Sequence, residues 1–285
     1  MFMDLFNPAV MGAVLKKHGF TFSKTLGQNF LTDPTVCPRM AELCGASQDV
    51  GVLEIGPGAG ILTQELSAVA SWVVTVEVDA RLLPVLAETL DGCKNVQVVH
   101  ADFLKLDLPA LVREQFPSGR YVVCANLPYY ITSPVIMHLL ESETPPEAIT
   151  VMVQKEVADR LCAQPGTKDA GAVTVCVDYY AEAKRLFAVP KGSFYPVPKV
   201  DSAVIQLKKR AVPPVDVRDR IAFFRLVKAA FAQRRKTALN SISNTLGLSK
   251  AQVASALERC GIDQNARSET LTTDRLAALC EALKL

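Results

Sequence analysis

Four short apolar runs in this chain end on residues able to hold a small ligand. Val50-Gly51-Val52-Leu53-Glu54-Ile55 runs into Gly56-Pro57-Gly58-Ala59-Gly60, and Trp72 to Val78 closes on Glu77-Val78-Asp79. Asn95 to Val99 leads to His100-Ala101-Asp102-Phe103, and Val122-Val123-Cys124-Ala125 delivers Asn126-Leu127-Pro128-Tyr129. Short β-prone runs bounded by turn signals read as buried strands. Ligands of open α/β sheets lie outside the carboxyl ends of the strands, so these four groups should line one crevice.

Each group has its own chemistry. The glycine loop lets backbone approach a ligand closely, and the helix after it opens with free amides. It is not the dinucleotide fingerprint, because Ile61 stands where that pattern requires its last glycine. A pyrophosphate is therefore poorly served, and a phosphate-free nucleoside such as S-adenosyl-L-methionine suits the loop better. Glu77 can accept from both hydroxyls of a ribose. Asp102 can accept from an adenine amino group while Phe103 packs nearby. Asn126-Leu127-Pro128-Tyr129 alone reads as a Pro turn after a strand; at the end of the fourth strand it offers an amide, a proline and an aromatic ring to the same crevice.

The elements between these groups are helical by pattern. A helix through Leu62, Leu66 and Val69 follows the glycine loop, and another with Leu82, Leu83, Val85, Leu86 and Leu90 begins near Arg81. Ile149 to Val153 is a fifth strand. Such alternation predicts an α/β fold with a doubly wound, Rossmann-like sheet. Asp33-Pro34 has the chemistry of a helix start, with Val36, Met40, Leu43 and Cys44 facing inward. Gln154 to Leu161 reads as an amphipathic helix, whereas Ala172 to Tyr180 fits helix or strand. Ala183 to Val189 and Ser202 to Leu207 read as a closing strand pair around Phe194-Tyr195-Pro196-Val197-Pro198. Pro213-Pro214 marks a linker, and helices are expected over Ile221 to Leu246, Ser249 to Cys260 and Thr273 to Ala282. Residues 1–212 are thus expected to form a catalytic domain and 213–285 a smaller all-helical one.

Composition bounds the function. The 285 residues are 49% apolar, which supports substantial cores. No run of about eighteen apolar residues and no signal-peptide pattern is present, so a soluble cytoplasmic protein without a membrane role is expected. Eight cysteines without a C-x-x-C, and His18, His100 and His138 far apart in sequence, argue against a metal site. Net charge is only +2, yet Gln206 to Lys236 holds ten Lys or Arg against two Asp. A basic band of this kind suggests a polyanion partner.

Taken with Leu26-Gly27-Gln28-Asn29-Phe30-Leu31 and Phe194 to Ser202, these motifs, in this order over nearly the whole chain, resemble the ribosomal RNA small-subunit adenine N6-dimethyltransferase family. The resemblance implies an S-adenosyl-L-methionine-dependent enzyme acting on 16S rRNA in the small ribosomal subunit. Its products would be N6,N6-dimethyladenine at two adjacent adenines near the 3' end, made in a step of ribosome biogenesis by a monomer that needs no metal. It implies that Asn29, Leu31, Gly56, Gly58, Glu77, Asp102 and Asn126 bind the cofactor. Asn126, Leu127, Pro128 and Tyr129 would hold the target adenine, with Phe194 stacking on it. Gln233 to Asn240 is similar to the family's RNA-facing helix, which gives Arg234, Arg235 and Lys236 to phosphate contacts.

The chemistry asked of these residues is modest. An exocyclic adenine amine is a poor nucleophile, and two acceptors on its hydrogens, the Asn126 amide oxygen and a main-chain carbonyl near Leu127 or Pro128, would help free its lone pair. Alignment then supplies much of the barrier reduction, up to about 7 to 11 kcal/mol in well-oriented systems. Three other readings compete. The 23S rRNA dimethyltransferase of macrolide resistance shares most motifs, although Leu127 and Leu26-Gly27-Gln28 lean to the small-subunit enzyme. Intact Asn126, Pro128 and Tyr129 argue against a non-catalytic assembly factor, and Ile61 argues against a nicotinamide oxidoreductase.

Overall fold

A computed structural model describes residues 3–21 and 29–285. The chain opens with α1 (Pro8–Lys17), β1 (Phe30–Leu31), α2 (Val36–Leu43), β2 (Gly51–Ile55), α3 (Ile61–Val69), β3 (Val73–Glu77) and α4 (Leu83–Thr89). It continues with β4 (Val96–His100), α5 (Leu108–Gln115), β5 (Tyr121–Asn126), α6 (Thr132–Glu141), β6 (Ala148–Gln154) and α7 (Lys155–Leu161). Then come α8 (Ala172–Tyr180), β7 (Ala181–Val189), β8 (Phe194–Tyr195) and β9 (Ser202–Lys209). Four helices close it: α9 (Arg220–Phe231), α10 (Ala238–Leu246), α11 (Lys250–Arg259) and α12 (Thr273–Ala282).

Seven strands form one sheet in the order β4-β3-β2-β5-β6-β9-β7. β4, β3, β2, β5 and β6 are parallel, as the strand–helix alternation predicts, while β9 runs antiparallel to β6 from Ala148↔Lys208 to Gln154↔Ser202. β2 and β3 are buried along their whole length, whereas the edge strand β4 is not. Helices on both faces explain why the inner strands read as unbroken apolar runs. Within this sheet the chain starts at β2, moves outward through β3 and β4, then crosses to β5 and β6. The order therefore reverses between β2 and β5, and that switch point is where a ligand crevice opens.

Several expectations are adjusted by the structure. Asp33 caps a turn, accepting from Thr35 N at 3.0 Å, and α2 starts two residues beyond Pro34. Leu43 is exposed rather than inward-facing. Ala172 to Tyr180 is a helix, α8. The single helix expected over Ile221 to Leu246 is two, because buried Ser241 donates to Ala229 O at 2.7 Å and accepts from Gln233 N at 3.1 Å, while Thr237 caps α10. Arg234, Arg235 and Lys236 consequently sit exposed in the turn between α9 and α10, not on a helix.

The chain divides into two compact units, 1–158 with 184–209, and 159–183 with 210–285. The segment around α8 thus groups with 210–285 rather than with 1–158. Tyr179 packs on Phe223 and Phe224 of α9 with ring centroids at 5.8 and 5.3 Å, and Asp178 accepts from Thr273 Oγ1 at 2.6 Å and pairs with Arg210 at 3.2 Å. Such aromatic and polar contacts bind 159–183 to the C-terminal helices. Among the described residues, no helix is long and apolar enough to cross a membrane.

Candidate active site

The sheet unit contains a cleft of about 260 Å³ at the switch point. Its lining includes every residue of this unit named from sequence: Asn29, Leu31, Gly56, Gly58, Glu77, Asp102, Asn126, Leu127, Pro128, Tyr129 and Phe194. Leu26, Gly27 and Gln28 lie outside the described residues, and Arg234, Arg235 and Lys236 belong to the other unit.

The loop after β2 depends on its glycines. Gly56, Gly58 and Gly60 all adopt left-handed backbone, with φ of 71°, 60° and 89°, which side chains disfavour. At Gly58 a Cβ would also lie 2.8 Å from Phe30 Cε1. The loop thus turns tightly against β1 and hands the chain to α3.

Glu77 ends β3 buried, with Oε1 accepting from Asp79 N at 2.8 Å. Burial pushes its carboxyl up, and backbone N–H groups of Asp79, Gly58 and Val78 oppose that by favouring the charged form. Asp102 is held by Leu104 N at 3.2 Å and by Lys105 at 3.2 Å. Phe103 behind it packs edge-on to His138, with centroids 5.5 Å apart.

Asn126 ends β5, and Leu127 N donates to Met152 O at 3.3 Å. Among the described residues, no hydrogen bond involves the Asn126 side-chain amide. Pro128 O accepts twice, from Ile131 N at 3.2 Å and Thr132 Oγ1 at 3.3 Å. Tyr129 shares a hydrogen bond of 2.8 Å with Ser202 Oγ on β9, and burial raises its phenol, so the ring stays neutral. The far wall is the ribbon of β1 and β8, with Leu31 opposite Phe194.

Among the cleft residues that sequence reading did not single out, one carries a charge-bearing group deep in the sheet. Glu54, in the middle of β2, is 1% exposed and lines the cleft. It accepts from Thr63 Oγ1 at 2.6 Å, and burial above all raises its carboxyl to about 7. Buried Thr75 Oγ1 on β3 close by has no partner of good hydrogen-bond geometry. The available signal was a lone acid at the centre of the apolar run Val52-Leu53-Glu54-Ile55, where solvent cannot reach.

A parallel sheet with a glycine loop, two strand-end carboxylates and an uncommitted amide at its switch point defines a Rossmann-type methyltransferase. The family model of ribosomal RNA adenine dimethylases matches residues 19–284. Ribosomal RNA small subunit methyltransferase A of Geobacillus thermodenitrificans is 49% identical over 99% of this chain and 98% of its own length. Its counterpart in Enterococcus faecalis is 45% identical over 99% and 97%. The 23S rRNA methyltransferase ErmE superposes with TM-score 0.68 at 30% identity, covering 90% of this chain and all of its own. A dimethyladenosine transferase from Plasmodium falciparum gives 0.72 at 25%, covering 88% and 95%. The chain belongs to the ribosomal RNA adenine dimethylase family.

Proposed function

We propose that this enzyme converts adenines of 16S rRNA in the small ribosomal subunit to N6,N6-dimethyladenine by two successive transfers from S-adenosyl-L-methionine. The observation that carries the reading is the meeting, in one cleft, of a left-handed glycine loop, Glu77, Asp102 and an Asn126 amide that no described protein group engages.

The donor set suits that cosubstrate. Glu77 would take the ribose hydroxyls and Asp102 the adenine amine, with Asn29, Leu31, Gly56 and Gly58 enclosing the remainder. When bound, S-adenosyl-L-methionine supplies an electrophilic methyl on sulfonium. The chain's own task is to present the target amine. Asn126 Oδ1 accepts one N6 hydrogen, and because Pro128 O is already doubly engaged, the Leu127 carbonyl is the second acceptor. Each transfer forms one N–C bond at N6 as the S–C bond of the sulfonium breaks, the sulfur leaving as the neutral thioether of S-adenosyl-L-homocysteine and one N6 proton going to solvent; after the first transfer a single N6 hydrogen remains for these acceptors to hold. The target base leaves its stack to enter; Tyr129 and Phe194 offset that cost by stacking, roughly 1 to 3 kcal/mol per base. Arg234, Arg235 and Lys236 contact phosphate in the helical unit, which sets affinity rather than base identity. The enzyme works as a cytoplasmic monomer.

The test uses small subunits from cells that lack this modification. Primer extension after reaction should reveal new dimethyladenines in 16S rRNA. Transfer only to large subunits, or to neither, would refute the assignment.

A further inference from the structure

Beside the cleft lies a second concavity. It is a groove of about 340 Å³ lined by Pro8, Met11, Gly12, Leu15, Lys16, Gly19, Phe20, Thr21 and Tyr195. Its floor is shaped by the end of α1. Gly19, at φ 65°, turns the chain so that Phe20 N donates to Leu15 O at 2.9 Å and the Phe20 ring folds back toward the helix.

The groove and the cleft share a wall. Successive residues of a strand face opposite sides: in β8, Phe194 lines the cleft at 3% exposure, while Tyr195 lines the groove at 54%. Phe30, opposite Tyr195 in β1, lines the cleft, and Phe20, in the groove, sits 6.2 Å behind it. A strand of RNA that puts one base into the cleft must place the next base somewhere close by. A large, half-exposed aromatic ring one residue along the same ribbon is a sequence-tolerant platform for it.

Charge points the same way. Lys17 and His18 converge on Glu88 at 2.8 and 2.7 Å, whereas Lys16, which lines the groove, has no ion-pair partner among the described residues. A cation that no described acid pairs with, beside an apolar aromatic groove, fits a nucleotide, with the base on Tyr195 and its phosphate on Lys16.

We propose that this groove is a second nucleotide subsite, which takes the base adjacent to the methylated adenine and holds it by stacking on Tyr195. The proposal rests on the RNA methyltransferase reading of the neighbouring cleft, and its test separates the two. Three variants are compared with the unaltered enzyme on unmodified small subunits: Tyr195→Ala removes the ring, Tyr195→Phe keeps it, and Gly12→Leu fills the groove. Gly12 is helical and a Cβ there meets nothing within 4 Å, so the added side chain extends into open space.

Tyr195→Ala and Gly12→Leu should each lower kcat/KM by between about 5-fold and about 150-fold, the range one base–aromatic stack spans. Tyr195→Phe should recover most of it, and titration should find the same affinity for S-adenosyl-L-methionine in all four proteins. A photoreactive benzoylphenylalanine at position 195 should crosslink to the nucleotide next to the methylated adenine. Undiminished turnover in both Tyr195→Ala and Gly12→Leu, or a crosslink to a ribosomal protein or a distant nucleotide, would overturn the subsite alone. No transfer by the unaltered enzyme would overturn the reading beneath it.

Discussion

Glu54 makes the stability of the sheet unit depend on pH in a direction opposite to that of most carboxylates. Its carboxyl titrates near 7 in the folded protein, against an ordinary value of 4.5, chiefly because burial disfavours the charge. Between those two values the unfolded chain has ionised this group while the folded chain keeps its proton. The folded state then binds more protons, so stability falls as pH rises through the window. The loss is absent below about pH 4.5 and complete above about pH 7. Over roughly 2.5 pH units, at about 1.36 kcal/mol each, it comes to roughly 3 kcal/mol. Glu54→Gln keeps the shape and the bond from Thr63 Oγ1, and its amide N–H can donate to the neighbouring Thr75 Oγ1, whose contact with Glu54 falls short of good hydrogen-bond geometry. Without an ionisable group, the variant escapes the loss. Urea unfolding followed by the fluorescence of Trp72, the only tryptophan, should show the variant gaining roughly 2 to 3 kcal/mol on the unaltered protein between pH 5 and pH 8. A stability difference that is the same at both pH values would refute the reasoning.

Four further outcomes are expected. Asn126→Ala should abolish methyl transfer while isothermal titration still detects binding of S-adenosyl-L-methionine. Tyr129→Phe, which loses only the 2.8 Å bond to Ser202, should cost about 1 kcal/mol of stability and retain most turnover, whereas Tyr129→Ala should lose the stack as well. Gly58→Ala forces a side chain into left-handed backbone at 2.8 Å from Phe30; the strain, on the order of 1 to 2 kcal/mol or more, should lower the melting temperature and weaken cosubstrate binding. Replacing Arg234, Arg235 and Lys236 together by Ala should reduce RNA affinity and flatten its log–log salt slope by roughly 2 to 3, as counterion release requires. An unchanged slope would remove these residues from the RNA interface.

The sheet was legible in the sequence because four strands buried on both faces, β2, β3, β5 and β6, write themselves as continuous apolar runs, and the groups at their ends stand out as polar interruptions. The site followed from the topology, since strand ends at a switch point converge without any long-range information. What stayed hidden was set by contacts between distant residues. Ser241, one hydroxyl in an otherwise helical pattern, bonds back to Ala229 and splits the expected long helix, moving the basic triplet into a turn. The segment around Asp178 joins the C-terminal helices through Tyr179 and Thr273, partners far along the chain. Phe194 and Leu31 meet through a ribbon only two residues long, too short to leave a periodic signal.

That ribbon also sets when the cleft can first be complete. Thr32 N donates to Ser193 O at 2.9 Å and Ser193 Oγ to Asp33 Oδ2 at 3.1 Å, so the cleft's far wall joins segments about 161 residues apart. At about 5 to 20 residues per second of synthesis, the first half of the wall waits on the order of 8 to 32 s for the second. The glycine loop and both carboxylates emerge during that wait with one side of their crevice unbuilt. A nascent chain released before Tyr195 would carry the glycine loop, Glu77 and Asp102 but lack the β8 half of the cleft's far wall. The cleft is therefore completed late in translation, after the parallel half of the sheet has had time to form.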